Sequence, residues 1–168
     1  DTHFGSAGTG RITTAIGVPH LATRAERVTV LSNGKILVVG HARPTGTSVI
    51  DNQDFALLRY NGDGTLDNSF GSGGLVTAVY SYQDEYAYDV VVQQDGKIVF
   101  GGNVQGYFTG ALVSRYLSDG TPDTGFGTAG QVFYDYTTLQ MVSCHAIALQ
   151  ADGKILLAGG TIGGDFCL

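Results

Sequence analysis

Two short motifs alternate along the chain, and their recurrence limits the fold more than any other feature. One is FALLRYNGDGTLDNSFGSGG at 55–74, which returns as ALVSRYLSDGTPDTGFGTAG at 111–130. Its tail, DTHFG, stands at 1–5, and its head, DFCL, at 165–168. The other motif is SNGKILVVG at 32–40, QDGKIVFGG at 94–102 and ADGKILLAGG at 151–160. The Phe of the FG pair falls at 4, 70 and 126, in steps of 66 and 56. The Gly of the GK pair falls at 34, 96 and 153, in steps of 62 and 57. A period near 60 residues is the mark of a stacked or circular array of multi-stranded units.

Each unit reads as four strands. The first alternates apolar and polar residues, as in 88–93, and ends at a turn carrying Asn33-Gly34, Asp95-Gly96 or Asp152-Gly153. Such dipeptides suit a two-residue hairpin whose central positions both take positive φ. The second strand follows at 35–39, 97–100 and 154–158, and the third is FALLRY or ALVSRY. A long turn leads to the fourth strand at 75–80 or 131–136. No stretch carries helical periodicity. The expected fold is all-β: a β-propeller of about three four-stranded antiparallel blades, alone or as part of a larger or oligomeric ring. The whole of 1–168 reads as one repeat domain with units near 1–70, 71–126 and 127–168. The last unit lacks a fourth strand. Residues 11–16 or another chain could supply it, since an open sheet edge needs a partner.

The DGKI-V-GG and FALLRYN-DG-LD-SFG-GG signatures resemble the delta-60 family of β-propeller repeats. The resemblance covers nearly the whole chain. It implies the propeller fold and an exported bacterial protein without an assigned activity. Pro122 in place of Leu, and Ser32-Asn33 in place of the Asp turn, are departures in single residues.

Composition excludes some classes. With 26 Gly but only 3 Pro and no three-residue period, the chain is not collagen-like. A net charge of −6, with nine scattered Lys and Arg, argues against nucleic acid. No apolar run is long enough for a membrane helix. No signal peptide stands in this sequence, so the secreted or cell-surface location rests on the resemblance.

Repeated residues belong to the scaffold. Phe4, Phe70 and Phe126 are expected to pack between blades. Arg59 and Arg115 are expected to meet backbone carbonyls or an acid of a neighbouring blade. The NGDGTLD segment at 61–67 superficially resembles a calcium loop. In the frame that gives Asp63 and Gly64 positions five and six, the end positions fall on Arg59 and Phe70, which are not carboxylates. A turn held by Asp63, Asp67, Asp119 and Asp123 is the expectation. Cys144 and Cys167 fall on the first and third strands of one blade, too far apart for a disulfide. His20, His41 and His145 show no ligand spacing, so neither a metal nor a cofactor is expected.

Function is expected where the units differ. Strand order puts the DG and LD-FG turns on one rim and the loops of variable length on the other. On the variable rim, Tyr80, Tyr82, Asp84, Glu85 and Tyr86 are the candidate ligand-binding residues. Tyr beside carboxylates suits a glycan or a protein surface; strand packing is the plainer use of those Tyr. Adjacent Asp84 and Glu85 point to opposite faces and make a poor acid/base pair. The expected function is a non-enzymatic scaffold or binding module that engages a protein partner or itself, including a homo-oligomer completing the ring. A lectin-like glycan binder is the first alternative, and a hydrolase or lyase at the channel the second.

Overall fold

The structure is a computed structural model and describes residues 3–5, 9–16, 23–43, 52–81, 83–135, 137 and 141–168. Its described residues form eleven strands in three antiparallel sheets. Blade 1 holds β1 (Arg24–Val30), β2 (Ile36–Ala42), β3 (Asp54–Tyr60) and β4 (Leu75–Ala78). Blade 2 holds β5 (Asp84–Val92), β6 (Ile98–Gln105), β7 (Gly110–Tyr116) and β8 (Gln131–Asp135). Blade 3 holds β9 (Met141–Leu149), β10 (Ile155–Thr161) and β11 (Phe166–Cys167). Each sheet is a sequential meander, so the β1–β2 and β3–β4 turns share one rim, and the variable loops share the other.

The DG turns differ from the expected two-residue hairpin. Only their glycines take positive φ: Gly34 at 80°, Gly96 at 84° and Gly153 at 84°. Gly34 N–H donates to Leu31 C=O, and Leu31 N–H donates to Lys35 C=O. This is a three-residue loop, a tight turn closed by a left-handed glycine. The side chain decides the choice. Asn33, Asp95 and Asp152 each accept the N–H of the Lys two residues on, at 3.1, 3.1 and 3.2 Å, which fixes the local turn. The third-to-fourth-strand turns repeat it. Gly64 donates to Asn61 and Gly120 to Leu117, and Asp63 and Asp119 cap Thr65 and Thr121.

Two apolar seams hold the blades together. Phe55, Leu57, Leu37 and Val39 on one face of blade 1 pack with Val90, Ile98, Phe100 and Leu112 of blade 2. Val99, Ala111 and Val113 on the far face of blade 2 pack with Met141, Cys144 and Ile147 of blade 3. Each fully buried side chain of this size contributes about 1.5–3 kcal/mol.

A latch locks the rim. Gly71 N–H donates to Asp119 C=O of the next blade at 2.9 Å. Phe70 is fully buried and lies over Gly120, where a Cβ would come within 3.0 Å of its ring. Phe4 and Gly5 engage Gly64 and Asp63 of blade 1 in the same way. Phe70 therefore does pack between blades, Phe4 packs against blade 1 in the same way, and Phe126 is partly buried beside the second seam. Arg59 stacks on Phe70, with its guanidinium carbon 4.4 Å from the ring centroid. Its acid is Asp67 of its own blade, at 2.6 Å, rather than one across the seam. The bond across the seam runs from Arg59 to the Ser118 carbonyl. Asp67 also accepts from Lys35 and Ser69; these bonds, that of Lys35 foremost, hold its carboxyl well below the usual range. Asp67 thus ties Lys35, Arg59 and Ser69 into one turn.

Residues 11–16 belong to no sheet and do not pair with β11. They lie against blade 1, where Ile12 meets Gly64 and Tyr60 Oη donates to Thr14 Oγ1 at 2.8 Å. Their register matches β4 and β8. Gly5 sits under Arg11-Ile12 just as Gly71 sits under Leu75-Val76 and Gly127 under Gln131-Val132. They occupy the place of the fourth strand of a preceding blade. Cys144 and Cys167 are free thiols, on opposite sides of β10, where both pair with Gly159.

The GG signature has a physical cause. β1, β5 and β9 each carry a bulge opposite a glycine: Gly40, Gly102 and Gly159. A Cβ there would overlap the carbonyl oxygen of Arg24, Tyr86 or Ser143. Gly102→Ala is expected to destabilise by about 3 kcal/mol or more. Gly153→Ala meets nothing within 4 Å and carries only its positive φ, so its expected cost is about 1 kcal/mol. Urea denaturation of both variants reads the difference.

Candidate functional site at the convergence of the first strands

The first strands of the three blades run side by side, and one carboxylate joins them. Asp89 of β5 is buried. Its Oδ1 lies 2.9 Å from Arg27 Nε of β1, and its Oδ2 accepts the Ile147 N–H of β9 at 2.8 Å. An acid in the middle of the apolar run YAYDVVV was the only sign of this in the sequence. Its partners come from two other blades.

Each bulge adds one unpaired residue beside this junction. They are Glu26 in β1, Tyr88 in β5 and His145 in β9. These positions are equivalent by register, yet their chemistry differs in every blade. Tyr88 and His145 have ring centroids 5.1 Å apart at 36°. Burial, then the nearby Glu26 carboxylate, pushes the Tyr88 phenol pKa up. Glu26 is itself paired with Arg24 at 3.0 Å.

From Tyr88 and His145 a cleft of about 470 Å³ opens between blades 2 and 3. Asn103, Gln105, Thr109 and Ser143 line the rest of it, with Val142. Asn103 is 2% exposed, and its Oδ1 accepts no hydrogen bond among the described residues. A buried acceptor left without a donor costs about 1–3 kcal/mol.

The structure disperses the residues expected on the variable rim. Tyr80 stacks on Phe133 at 5.0 Å and is partly exposed. Tyr86 turns the other way and meets His41 edge-on at 4.8 Å. Asp84 accepts the Gln53 N–H at 2.9 Å. Glu85 is fully buried and accepts from the N–H groups of Tyr80 and Ser81 and from Ser81 Oγ. It staples the crossover from β4 to β5 and is closed to a ligand. Tyr82 and His20 lie outside the described residues. Sequence reasoning missed a pair of exposed rings, Tyr107 and Phe108, that meet edge-on at 5.1 Å on the β6–β7 loop. Two adjacent aromatics in a Gly-bounded loop were the available signal.

These features sit on a propeller fold of repeated antiparallel blades, two of four strands and one of three. The comparison with known families agrees. A β-propeller family described as a domain of unknown function, DUF5122, matches residues 31–70 and 93–126. Over those residues the chain is similar to this β-propeller family, in keeping with the resemblance of its motifs to delta-60 repeats. No curated protein matches it. Among the described residues no group of three or more His, Cys, Asp or Glu is placed to hold a metal, and no helix is long and apolar enough to cross a membrane.

Two buried acids beside the first seam make stability depend on pH. Burial raises Glu85 to about 7 against its backbone hydrogen bonds, with Asp54 adding to the rise. Burial, then Asp84, raises Asp54 to about 6. Folding therefore takes up protons between the ordinary carboxyl range and about pH 7, and stability falls as pH rises through that window. The acids with lowered values, Asp67 among them, lose their contribution only below that window. Wild-type melting temperature is expected to rise from pH 8 to pH 5.5. Glu85→Gln should remove about 2–3 kcal/mol of that dependence, which thermal melts at several pH values check.

Proposed function

We propose that this chain is a non-enzymatic propeller module, exported or exposed at the cell surface, that works by docking a further blade of its own kind. One observation carries the reading. Val28 and Val30 of blade 1 are 61% and 68% exposed. The equivalent Val90 of blade 2 is 4% exposed, because blade 1 covers it. Val28, Val30, Ile36, Val38 and Leu58 thus line an open apolar groove of about 530 Å³, flanked by Phe4 and Ile12.

The groove has a matching occupant. Phe55 and Leu57 of blade 1 are the side chains that enter the same groove on blade 2. Their equivalents in blade 3, Phe166 and Leu168, are exposed. Blade 3 of a second copy therefore offers the face that blade 1 lacks, and residues 11–16 lie where its fourth strand would run. An exposed apolar patch with this register is a docking surface.

The non-enzymatic reading draws on the charges. Glu26 is held by Arg24, and Asp89 by Arg27 and Ile147, so neither stands free beside His145. The surface location draws only on the resemblance of the motifs to delta-60 repeats. The glycan alternative at 80–86 draws less support, since Glu85 is consumed by the backbone and Tyr80 and Tyr86 diverge.

Sedimentation of the 168-residue chain tests the docking. Wild type is expected to associate as concentration rises, and Val30→Lys to stay monomeric with an unchanged circular dichroism spectrum. Wild type that remains monomeric at every concentration removes the reading.

A further inference from the structure

We propose that the cleft between blades 2 and 3 binds a neutral, polyhydroxylated ligand of the saccharide class. This site is independent of the blade-docking surface, and neither requires the other.

The lining decides the ligand chemistry. Tyr88, Asn103, Gln105, Thr109, Ser143 and His145 surround the cleft, and none is a Lys, Arg, Asp or Glu. Among the described residues an anion would find no fixed positive charge there. A cation would find no carboxylate in the lining, since the nearby Glu26 and Asp89 are engaged by Arg24 and Arg27. A purely apolar ligand would bury amides and hydroxyls without partners, which is unfavourable. A neutral ligand rich in hydroxyls remains.

Its two kinds of surface both have a counterpart. The tilted pair of Tyr88 and His145 rings gives a flat wall for the C–H face of a sugar ring. The Asn103 Oδ1 is an acceptor with no donor among the described residues, buried among the cleft residues, and a ligand hydroxyl is a suitable donor. Gln105 and Thr109 add adaptable amide and hydroxyl groups at the mouth. Thr109 Oγ1 already holds the Gly106 carbonyl, and Ser143 Oγ accepts the Gly160 N–H, so both are oriented before a ligand arrives. The volume of about 470 Å³ lies within the range of small-molecule pockets.

The position is also the place where the repeat permits variation. Bulges put Glu26, Tyr88 and His145 at one level, outside the ladder of hydrogen bonds. Their side chains are free to differ without disturbing a strand. Tyr88 and His145 were separated by 57 residues and came together only because consecutive first strands adjoin.

The test uses the 168-residue chain labelled with nitrogen-15. Methyl glycosides of glucose, galactose, mannose and N-acetylglucosamine are titrated to tens of millimolar, with methyl glucuronide as the anionic comparison. At least one neutral glycoside is expected to shift the amides of Asn103, Thr109, Ser143 and His145. His145→Ala, an exposed position, should weaken that binding about tenfold while leaving the spectrum dispersed; Tyr80→Ala should leave the affinity unchanged. Asn103→Asp is a second variant of nearly the same shape and should also weaken it. The proposal is overturned if no neutral glycoside shifts these amides, if the glucuronide binds them more tightly, or if His145→Ala binds as well as wild type.

Discussion

The contact between an FG pair and the DG turn of the next unit is what the rest of the molecule depends on. It combines a backbone hydrogen bond, Gly71 to Asp119, with a buried ring, Phe70, laid over a glycine that has no side chain to obstruct it. Arg59 then clamps the ring from above and reaches the Ser118 carbonyl beyond it. A sheet of four strands buries only part of its apolar surface alone. The latch sets the angle at which the next sheet covers the remainder, and so turns local repeats into one continuous core.

The second constraint lies at the opposite edge of each blade, where the first strands adjoin. There the sheets come close enough that one buried acid, Asp89, bonds two neighbours at once. The bulges of β1, β5 and β9 fit this crowded place because Gly40, Gly102 and Gly159 leave room for a carbonyl oxygen. The invariant feature is the backbone, and the residue the bulge displays is variable. The repeat therefore supplies a rigid frame with a short row of interchangeable side chains.

Apolar exposure is distributed unevenly, and the unevenness is informative. The seam between blades 1 and 2 and that between blades 2 and 3 are closed, whereas the outer faces of blades 1 and 3 display the same residue types in the open. The charged residues follow the opposite rule: Arg59, Arg115 and Lys35 are engaged with Asp67 and Asp123 inside the rim.

Sequence alone determined the repeat, the strands, the turn glycines, the packed Phe residues and the free cysteines. All of these follow from local geometry: alternation, positive φ and distance along a meander. It misjudged the DG turn because the dipeptide is compatible with two hairpins, and the Asx bond that selects one is invisible in the letters. It named Tyr80, Asp84, Glu85 and Tyr86 as one cluster because neighbours in sequence were taken as neighbours in space. In the folded chain a buried carboxylate staples its own crossover, and the Tyr rings diverge toward different blades. The row of Glu26, Tyr88 and His145, the junction at Asp89 and the lone acceptor of Asn103 were decided by tertiary structure, because each depends on how one sheet is rotated against the next.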